Sequence, residues 1–147
     1  MGTGILGTRA TLVADANLIL QVVMLVVLLF AAWQAKRGNL QLHCTLMTAV
    51  VVANAVAIIA IMNPAFFRSL PYALSYPGAR GPRVLWPHVV SGTVAEVMGA
   101  YVVIALKWGN SDSGGQLRNP KWTMRITALL WMVSLVVGIV VYYLRYV

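Results

Sequence analysis

Four apolar runs occupy most of the 147-residue sequence, at about 12–33, 42–62, 86–107 and 122–143. An α-helix rises about 1.5 Å per residue, so each run is long enough to cross a hydrocarbon core about 30 Å thick. Lipid offers no partners to backbone N–H and C=O groups, and helices satisfy these groups internally. The runs therefore predict an all-α membrane protein, folded as one domain in which four transmembrane helices form a bundle.

The composition agrees with a membrane environment and argues against nucleic acid as a partner. Hydrophobic residues make up 61% of the sequence and charged residues 10%, whereas about 25% of the residues of a soluble domain are charged. The net charge of +8 comes from Lys and Arg at the ends of the apolar runs, where such residues bias orientation in the membrane. We expect a multi-pass protein of the cell (inner or plasma) membrane, surrounded by lipid and without a nucleic-acid site.

Four spans place both termini on the same side of the membrane. Six Lys and Arg residues lie in or beside the two short connections, and the other five lie on the side of the termini and of a long segment, 63–85. Positive residues close to the spans favour the cytoplasm. The short connections are therefore predicted to be cytoplasmic, with the termini and an outer loop at 63–85 on the extracytoplasmic side.

Prolines mark the predicted ends of three spans. Pro64 follows Asn63, and a proline lacks an N–H donor and restricts the residue before it, so the second span is expected to end there. Pro87 suits the first turn of the third span. Asn119 and Pro120 are typical of a helix cap followed by a first-turn proline, here at the start of the fourth span.

Each span carries one polar residue near its middle: Gln21, Asn54, Glu96 and Ser134. In an antiparallel bundle these residues lie at similar depth, and polar groups in hydrocarbon need hydrogen-bond partners. One hypothesis is a polar layer whose members satisfy Glu96. The alternative is that the four residues are scattered and bond their own backbone or a partner chain.

Glu96 is the most costly of these residues, because a charge at the centre of a membrane helix costs about 3 kcal/mol or more. It could act as a proton-relay carboxylate or as an acid that binds a ligand. Alternatively, it is a structural, protonated carboxylic acid that donates one hydrogen bond. The sequence shows no chain of ionisable residues beside Glu96 that could relay protons, and this favours the structural role.

His43 and His88 are the two histidines of the chain. Histidines on adjacent spans suggest a haem b site. However, His43 begins the second span at one face of the membrane and His88 begins the third at the other, so most of the roughly 30 Å core would separate them. Any haem bound by either histidine needs its second ligand from elsewhere in the chain or from another chain.

His43 and Met47 lie one helical turn apart, and imidazole and thioether ligands suit Cu(I). The alternative is that both residues only pack, which is the commoner role of methionine in membrane helices. His88 is likewise expected to form hydrogen bonds at the membrane interface unless it binds a cofactor. The preferred expectation is no bound cofactor, with haem b or copper as alternatives.

The segment 63–85 combines the aromatic and cationic residues that are enriched at protein interfaces. No nucleophile–base pair, phosphate-binding loop or carboxylate pair occurs in the sequence, so hydrolytic catalysis has no support. The preferred interpretation is a non-catalytic protein that docks onto other integral membrane subunits. The predicted docking residues are Arg68, Tyr72, Tyr76, Arg80 and Arg83.

Three short motifs carry a resemblance to a known family: LHCTLMTA at 42–49, PHVVSG at 87–92 and WMVSLVVGIVVYY at 131–143. They resemble domain-of-unknown-function family 420, four-helix bacterial and archaeal membrane proteins that include a maturation factor for haem A-containing terminal oxidases. The resemblance covers roughly 36–145 and implies a four-helix bundle. The residues that match the family's pattern are His43, Met47, His88, Trp131, Gly138 and Tyr142.

The chain departs from the family at two positions. The family commonly has two further histidines, whereas the corresponding segments here read MNPAFF at 62–67 and LRNPKW at 117–122. Each histidine pair that could hold haem or a metal in the family would keep one member here. The resemblance implies an accessory or assembly subunit of a respiratory, terminal-oxidase-like redox complex. The alternatives are a haem b-binding electron carrier and a small proton-conducting or transport protein that uses Glu96.

Overall fold

The computed structural model describes residues 4–108 and 120–147, and within these ranges every regular element is a helix. Four stretches are long and apolar enough to cross a membrane: Leu12–Lys36, Leu40–Ser75, Arg80–Lys107 and Lys121–Tyr146. The predicted all-α fold with four transmembrane helices is confirmed. The α-helices are α1 (Leu12–Lys36), α2 (Leu40–Ala57), α3 (Asn63–Ser75), α4 (Arg80–Trp108) and α5 (Pro120–Tyr146).

Side-chain caps begin α1 and α2, and one glycine lies in the short turn between them. The hydroxyl of Thr11 accepts a hydrogen bond from the N–H of Ala14 and caps α1. Gly38 follows α1 with a φ of +83°, a conformation that costs other residues a clash with their Cβ. The side chain of Asn39 then caps α2 through the N–H of Leu42. This short turn forces α2 to run back antiparallel to α1.

The second span is longer than predicted, because the helix does not end at Pro64. A π-helical segment, Ile58–Met62, joins α2 to α3, and the N–H of Asn63 bonds to the carbonyl of Ile58, five residues earlier. Pro64 then occupies the first turn of α3, where its missing N–H is not needed. The π-turn therefore lets the helix continue through Pro64, and the prediction that the helix ends at Asn63 and Pro64 is wrong.

The predicted loop at 63–85 is also wrong. Only 76–79 separates α3 from α4, which begins at Arg80. Pro82 takes the first-turn position that was predicted for Pro87, and Pro87 lies inside α4. The rings of Phe66 and Trp86 contact edge-to-face with centroids 5.9 Å apart. This contact packs α3 against the first turns of α4 and so supports a helical structure in the segment that was predicted to be a loop. Pro120 begins α5 as predicted, whereas the predicted cap Asn119 lies outside the described residues.

The four spans form a ring in the order α2, α1, α5, α4. Helices α4 and α5 make the most extensive contact, and α2 and α4 pack least closely. The N–H of Arg9 donates to the carbonyl of Tyr146 at 3.3 Å, so both termini lie at one end of the bundle. We call this end the terminal end, and we call the end with the α1–α2 turn and Lys107 the turn end.

A buried apolar cluster fills the middle of the ring, while the outer faces of the spans remain apolar and exposed, as lipid requires. Ile59, Val97 and Val26, for example, are 70%, 63% and 60% exposed. The indole N–H of Trp131 donates to the carbonyl of Ala95 at 2.7 Å and joins α5 to α4 inside the cluster. The cluster consists of Met24, Leu28, Val50, Val51, Ala95, Trp131 and Leu135.

Candidate functional site

Asn54 and Glu96 form a hydrogen-bonded pair between the middles of α2 and α4. The amide Nδ2 of Asn54 donates to Oε2 of Glu96 at 2.9 Å. Asn54 is buried and Glu96 is half-buried, at the seam where the two helices pack least closely. The intramembrane acid therefore has a neutral polar partner on the neighbouring helix, which is the kind of contact that the polar-layer hypothesis requires.

The other two members of the predicted layer lie in a different interface. Gln21 and Ser134 are buried, but they adjoin glycines of the α1–α5–α4 contact rather than Glu96. A methyl group added at Gly138 would lie 2.6 Å from Oε1 of Gln21, and one added at Gly92 would lie 3.1 Å from Oγ of Ser134. Among the described residues, Glu96 bonds to Asn54 and no hydrogen bond joins it to Gln21 or Ser134, so one continuous layer is not observed there.

His88 occupies the space that Gly138 leaves between α4 and α5. Its Nδ1 lies 3.2 Å from the carbonyl oxygen of Ser134. A carbonyl can only accept, so Nδ1 carries the proton in this bond and the neutral ring keeps its lone pair on Nε2. A methyl group at Gly138 would lie 2.8 Å from Cε1 of this ring. His88 therefore joins α4 to the backbone of α5 by a hydrogen bond, as expected. However, it lies beside Ser134 rather than at the start of the helix, because α4 begins two turns earlier, at Arg80.

His43 makes the equivalent contact at the turn end. Its Nδ1 lies 2.9 Å from the carbonyl oxygen of Ala31, so it donates from α2 to the backbone of α1 and also leaves Nε2 with a lone pair. His43 is the fourth residue of α2, whereas His88 lies on α4 in the other half of the bundle. The two rings join different helix pairs, which agrees with the expectation that they do not share one haem.

His43 and Met47, the predicted copper ligands, line one cavity between α2, α4 and α5. No group of three or more His, Cys, Asp and Glu side chains that could hold a metal ion occurs within 4–108 and 120–147. Residues 62–67, where the family resemblance places another histidine, are helical and contain none. Met47 packs against the buried apolar cluster. Binding of haem or copper by His43 or His88 therefore stays a prediction that the contacts of the described residues do not test.

Asp15 is the functional-site candidate that the sequence interpretation missed. It is 0% exposed, and its Oδ2 accepts from the N–H of Leu6 at 3.0 Å. Its Oδ1 accepts from the hydroxyl of Tyr142 and, at 3.4 Å, from that of Thr8. The signal was available, since the whole chain has only three acidic residues. However, acidic residues are common in the first turn of a helix, because they interact favourably with the helix dipole. The position of Asp15 in the sequence therefore does not distinguish it from an ordinary surface residue.

The apolar cluster interrupts the buried polar groups along the bundle axis. Asp15, Gln21 and Ser134 lie on its terminal side or at its level. Thr127 lies on the turn side, and its hydroxyl donates to the carbonyl of Thr123 within its own helix at 2.8 Å. Asn54, which is bonded to Glu96 at mid-span, completes the buried polar side chains of the described part of the bundle.

The predicted docking residues lie on one exposed structure at the terminal end. It consists of α3, the turn at 76–79 and the first two turns of α4, and we call it the α3–α4 hairpin. The rings of Tyr72 and Tyr76 stack with centroids 5.3 Å apart and are 56% and 61% exposed. The three arginines that accompany them are exposed as well: Arg68, Arg80 and Arg83.

The chain matches no protein-family model, no curated protein and no solved structure. The resemblance to family 420 therefore stays a prediction that these comparisons do not test. The fold supports the membrane setting of that family, because four helices can cross a bilayer. The fold carries no information about the reaction or the complex in which the chain takes part.

Proposed function

We propose that this integral membrane protein is a non-catalytic accessory or assembly subunit of a larger membrane complex. The observation that carries the proposal is the α3–α4 hairpin. The continuous helix Leu40–Ser75 has 36 residues, about 54 Å at 1.5 Å per residue, whereas the hydrocarbon core measures about 30 Å. Because α2 begins at the α1–α2 turn, the excess length extends α3 beyond the hydrocarbon at the terminal end.

The chemistry of this extension suits a protein partner. Exposed Tyr and Arg are the side chains most often found at the energetic centres of interfaces. The contacting rings of Tyr72 and Tyr76 form an exposed aromatic surface, and Arg68 adds an exposed cation on α3. The acidic residues that the structure describes, Asp15 and Glu96, are engaged elsewhere. The hairpin would thus bind a surface of a neighbouring subunit that carries acidic side chains and an apolar pocket for the tyrosine rings.

The kind of complex is a separate part of the proposal. A membrane redox complex of the terminal-oxidase type, in the cell membrane, is favoured by the sequence resemblance alone. The contacts within this chain neither require nor oppose it. Identification of the neighbours in native membrane therefore has to decide between a respiratory complex and another assembly.

The test is to solubilise native membranes in digitonin and to follow the tagged protein on a blue native gel, with mass spectrometry of the band. Co-migration with a larger complex is expected, and a double variant of the hairpin, Arg68→Glu with Tyr72→Ala, should shift the protein to low mass. The matched control changes an exposed cation and aromatic ring at the turn end, Lys121→Glu with Trp122→Ala. A wild-type protein that runs alone, or a control that dissociates equally, would contradict the proposal.

Haem b binding is the second candidate, and one observation favours it. Both histidines donate from Nδ1 to a backbone carbonyl, an arrangement that commonly orients a ligating imidazole and leaves Nε2 available. An absorbance spectrum of the protein purified with its partners separates the two proposals. A Soret band lost in His43→Phe or His88→Phe supports a haem carrier, and the absence of any Soret band excludes haem.

A proton-conducting or transport role for Glu96 is the third candidate. The bond from Asn54 gives Glu96 a structural partner, and the apolar cluster lies across the bundle axis. Proton uptake into liposomes that contain the protein measures this role directly. Uptake that is unchanged in Glu96→Gln would eliminate it.

A further inference from the structure

A groove opens between α2, α4 and α5 at the turn end. It encloses a cavity of about 530 Å³. The groove lies between helices that make few contacts, α2 and α4, and small residues line it, such as Ala49, Gly99 and Ala128. Val52, on its wall, is 56% exposed, so the groove is open along the lipid-facing side of the bundle.

The threonine hydroxyls that line the groove all donate to carbonyls of their own helices. The hydroxyl of Thr48 donates to the carbonyl of Cys44 at 2.8 Å, and the hydroxyl of Thr127 donates to the backbone carbonyl of Thr123, also at 2.8 Å. The Nδ1 of His43 bonds to the backbone of α1. An occupant therefore meets an apolar wall, made largely of valine, methionine and alanine side chains, that offers little to a polar molecule.

The mouth of the groove is cationic. Lys107, in the last turn of α4, lines the cavity and is exposed. Both acidic residues that the structure describes lie elsewhere, Asp15 at the terminal end and Glu96 at mid-depth. The same end carries four further cations on the connections and helix ends: Lys36, Arg37, Lys121 and Arg125.

We propose that the groove binds one acyl chain of an anionic phospholipid, with the lipid phosphate at Lys107. The span from His43 to Val52 is about 14 Å long at 1.5 Å per residue, enough for much of an acyl chain. A positive charge at the mouth of an apolar inter-helix groove is the arrangement by which membrane proteins select anionic headgroups. Lys107 supplies the headgroup selectivity and the apolar wall supplies the chain contact.

Native mass spectrometry of the delipidated protein tests the proposal, with dioleoylphosphatidylglycerol and dioleoylphosphatidylcholine as probes. The wild-type protein should retain the anionic lipid in preference to the zwitterionic one. Lys107→Gln should lower retention of phosphatidylglycerol about fivefold, the effect of one cation close to an anionic lipid. Val52→Trp, which fills the groove from its open side, should lower retention of both lipids. Water-soluble glycerol 3-phosphate should not compete, because it lacks the chain.

Two control variants match these substitutions. Arg145→Gln removes an exposed cation at the terminal end, and Val56→Trp places the same indole one turn along α2, at a residue that is 60% exposed and outside the groove. Both should retain lipid as the wild type does. Equal losses in Lys107→Gln and Arg145→Gln would overturn the site in favour of nonspecific charge. Competition by glycerol 3-phosphate, or unchanged retention in Val52→Trp, would overturn the acyl-chain contact.

Discussion

The carboxylate of Asp15 accepts a hydrogen bond from the hydroxyl of Tyr142, although 127 positions separate the two residues in the sequence. The bond joins the first and the fourth spans at the terminal end. The same carboxylate holds the N–H of Leu6, and the hydroxyls of Thr8 and Tyr142 lie 2.8 Å apart. One buried acid therefore fixes the N-terminal tail, α1 and α5 together, and its hydrogen bonds compensate for its removal from water.

Loss of the Tyr142 hydroxyl should release the N-terminal tail. Tyr142→Phe removes the donor to Asp15 and the partner of Thr8 but keeps the ring, whose centroid lies 5.1 Å from that of Tyr146. The tail should then detach from α5 more often, and trypsin should cleave after Arg9 several-fold faster, since proteolysis follows the population of the open form. The measurement is the rate of this cleavage for protein in detergent micelles.

The neighbouring tyrosine gives a matched control for that experiment. Tyr143 is 60% exposed and forms no side-chain hydrogen bond with the residues that the structure describes. Tyr143→Phe should therefore leave cleavage after Arg9 unchanged. Equal acceleration in both variants would mean that the Asp15–Tyr142 bond does not hold the tail.

The Asn54–Glu96 bond should contribute modestly to stability. Asn54→Leu removes the amide donor and should lower the free energy of unfolding by about 1 kcal/mol, the usual scale of a hydrogen bond between membrane helices. Glu96→Gln should change stability little, because Oε1 of glutamine still accepts from Asn54. Unfolding in mixed micelles with increasing SDS measures both. A Glu96→Gln loss as large as that of Asn54→Leu would show that the carboxyl group has a role beyond accepting this bond.

The sequence predicts depth in the membrane well and rotation about each helix poorly. Position along an apolar run sets depth, and on this basis one hypothesis places Asn54 at the level of Glu96, where the two residues do form a hydrogen bond. The rotation of each helix about its axis decides which of its faces contacts which neighbouring helix. Because the lipid-facing and core-facing sides are equally apolar, the pattern of polar and apolar residues does not reveal this rotation. Gln21 and Ser134 consequently turned out to face the α1–α5–α4 contact instead.

The end of the second span was mispredicted for a different physical reason. A proline has no N–H and cannot donate an α-helical hydrogen bond. A prediction from the local sequence therefore ends the helix at Pro64. The π-turn at Ile58–Met62 shifts the bonding by one residue and lets the helix continue. Packing of Phe66 against Trp86 then favours the continued helix. This contact joins residues on different helices, which local sequence rules do not detect.

Gly138 should be the glycine of the bundle that least tolerates a methyl group. An added Cβ would meet Gln21 and the ring of His88, which its bond to Ser134 holds in place. Gly138→Ala should therefore lower the free energy of unfolding by about 1–3 kcal/mol, as overpacking does in other cores. Gly92→Ala should cost less, because its Cβ would meet only the Oγ of Ser134 at 3.1 Å. Gly78→Ala, with one neighbour at 3.9 Å, should be close to neutral in the same SDS titration.

The orientation of the bundle can be tested with single cysteines at its two ends. The Cys44→Ala background removes the one native thiol. Val147→Cys then marks the terminal end and Gln41→Cys the turn end; both residues are exposed. Both are uncharged, so the balance of cations that governs orientation does not change.

The two ends should label differently in intact cells. If positive residues near the short connections hold the turn end in the cytoplasm, a membrane-impermeant maleimide should label Val147→Cys in intact cells. It should label Gln41→Cys only after permeabilisation. The opposite result would reverse the orientation while leaving the four-helix fold intact. It would also place the α3–α4 hairpin on the cytoplasmic side, where its partner would then have to be sought.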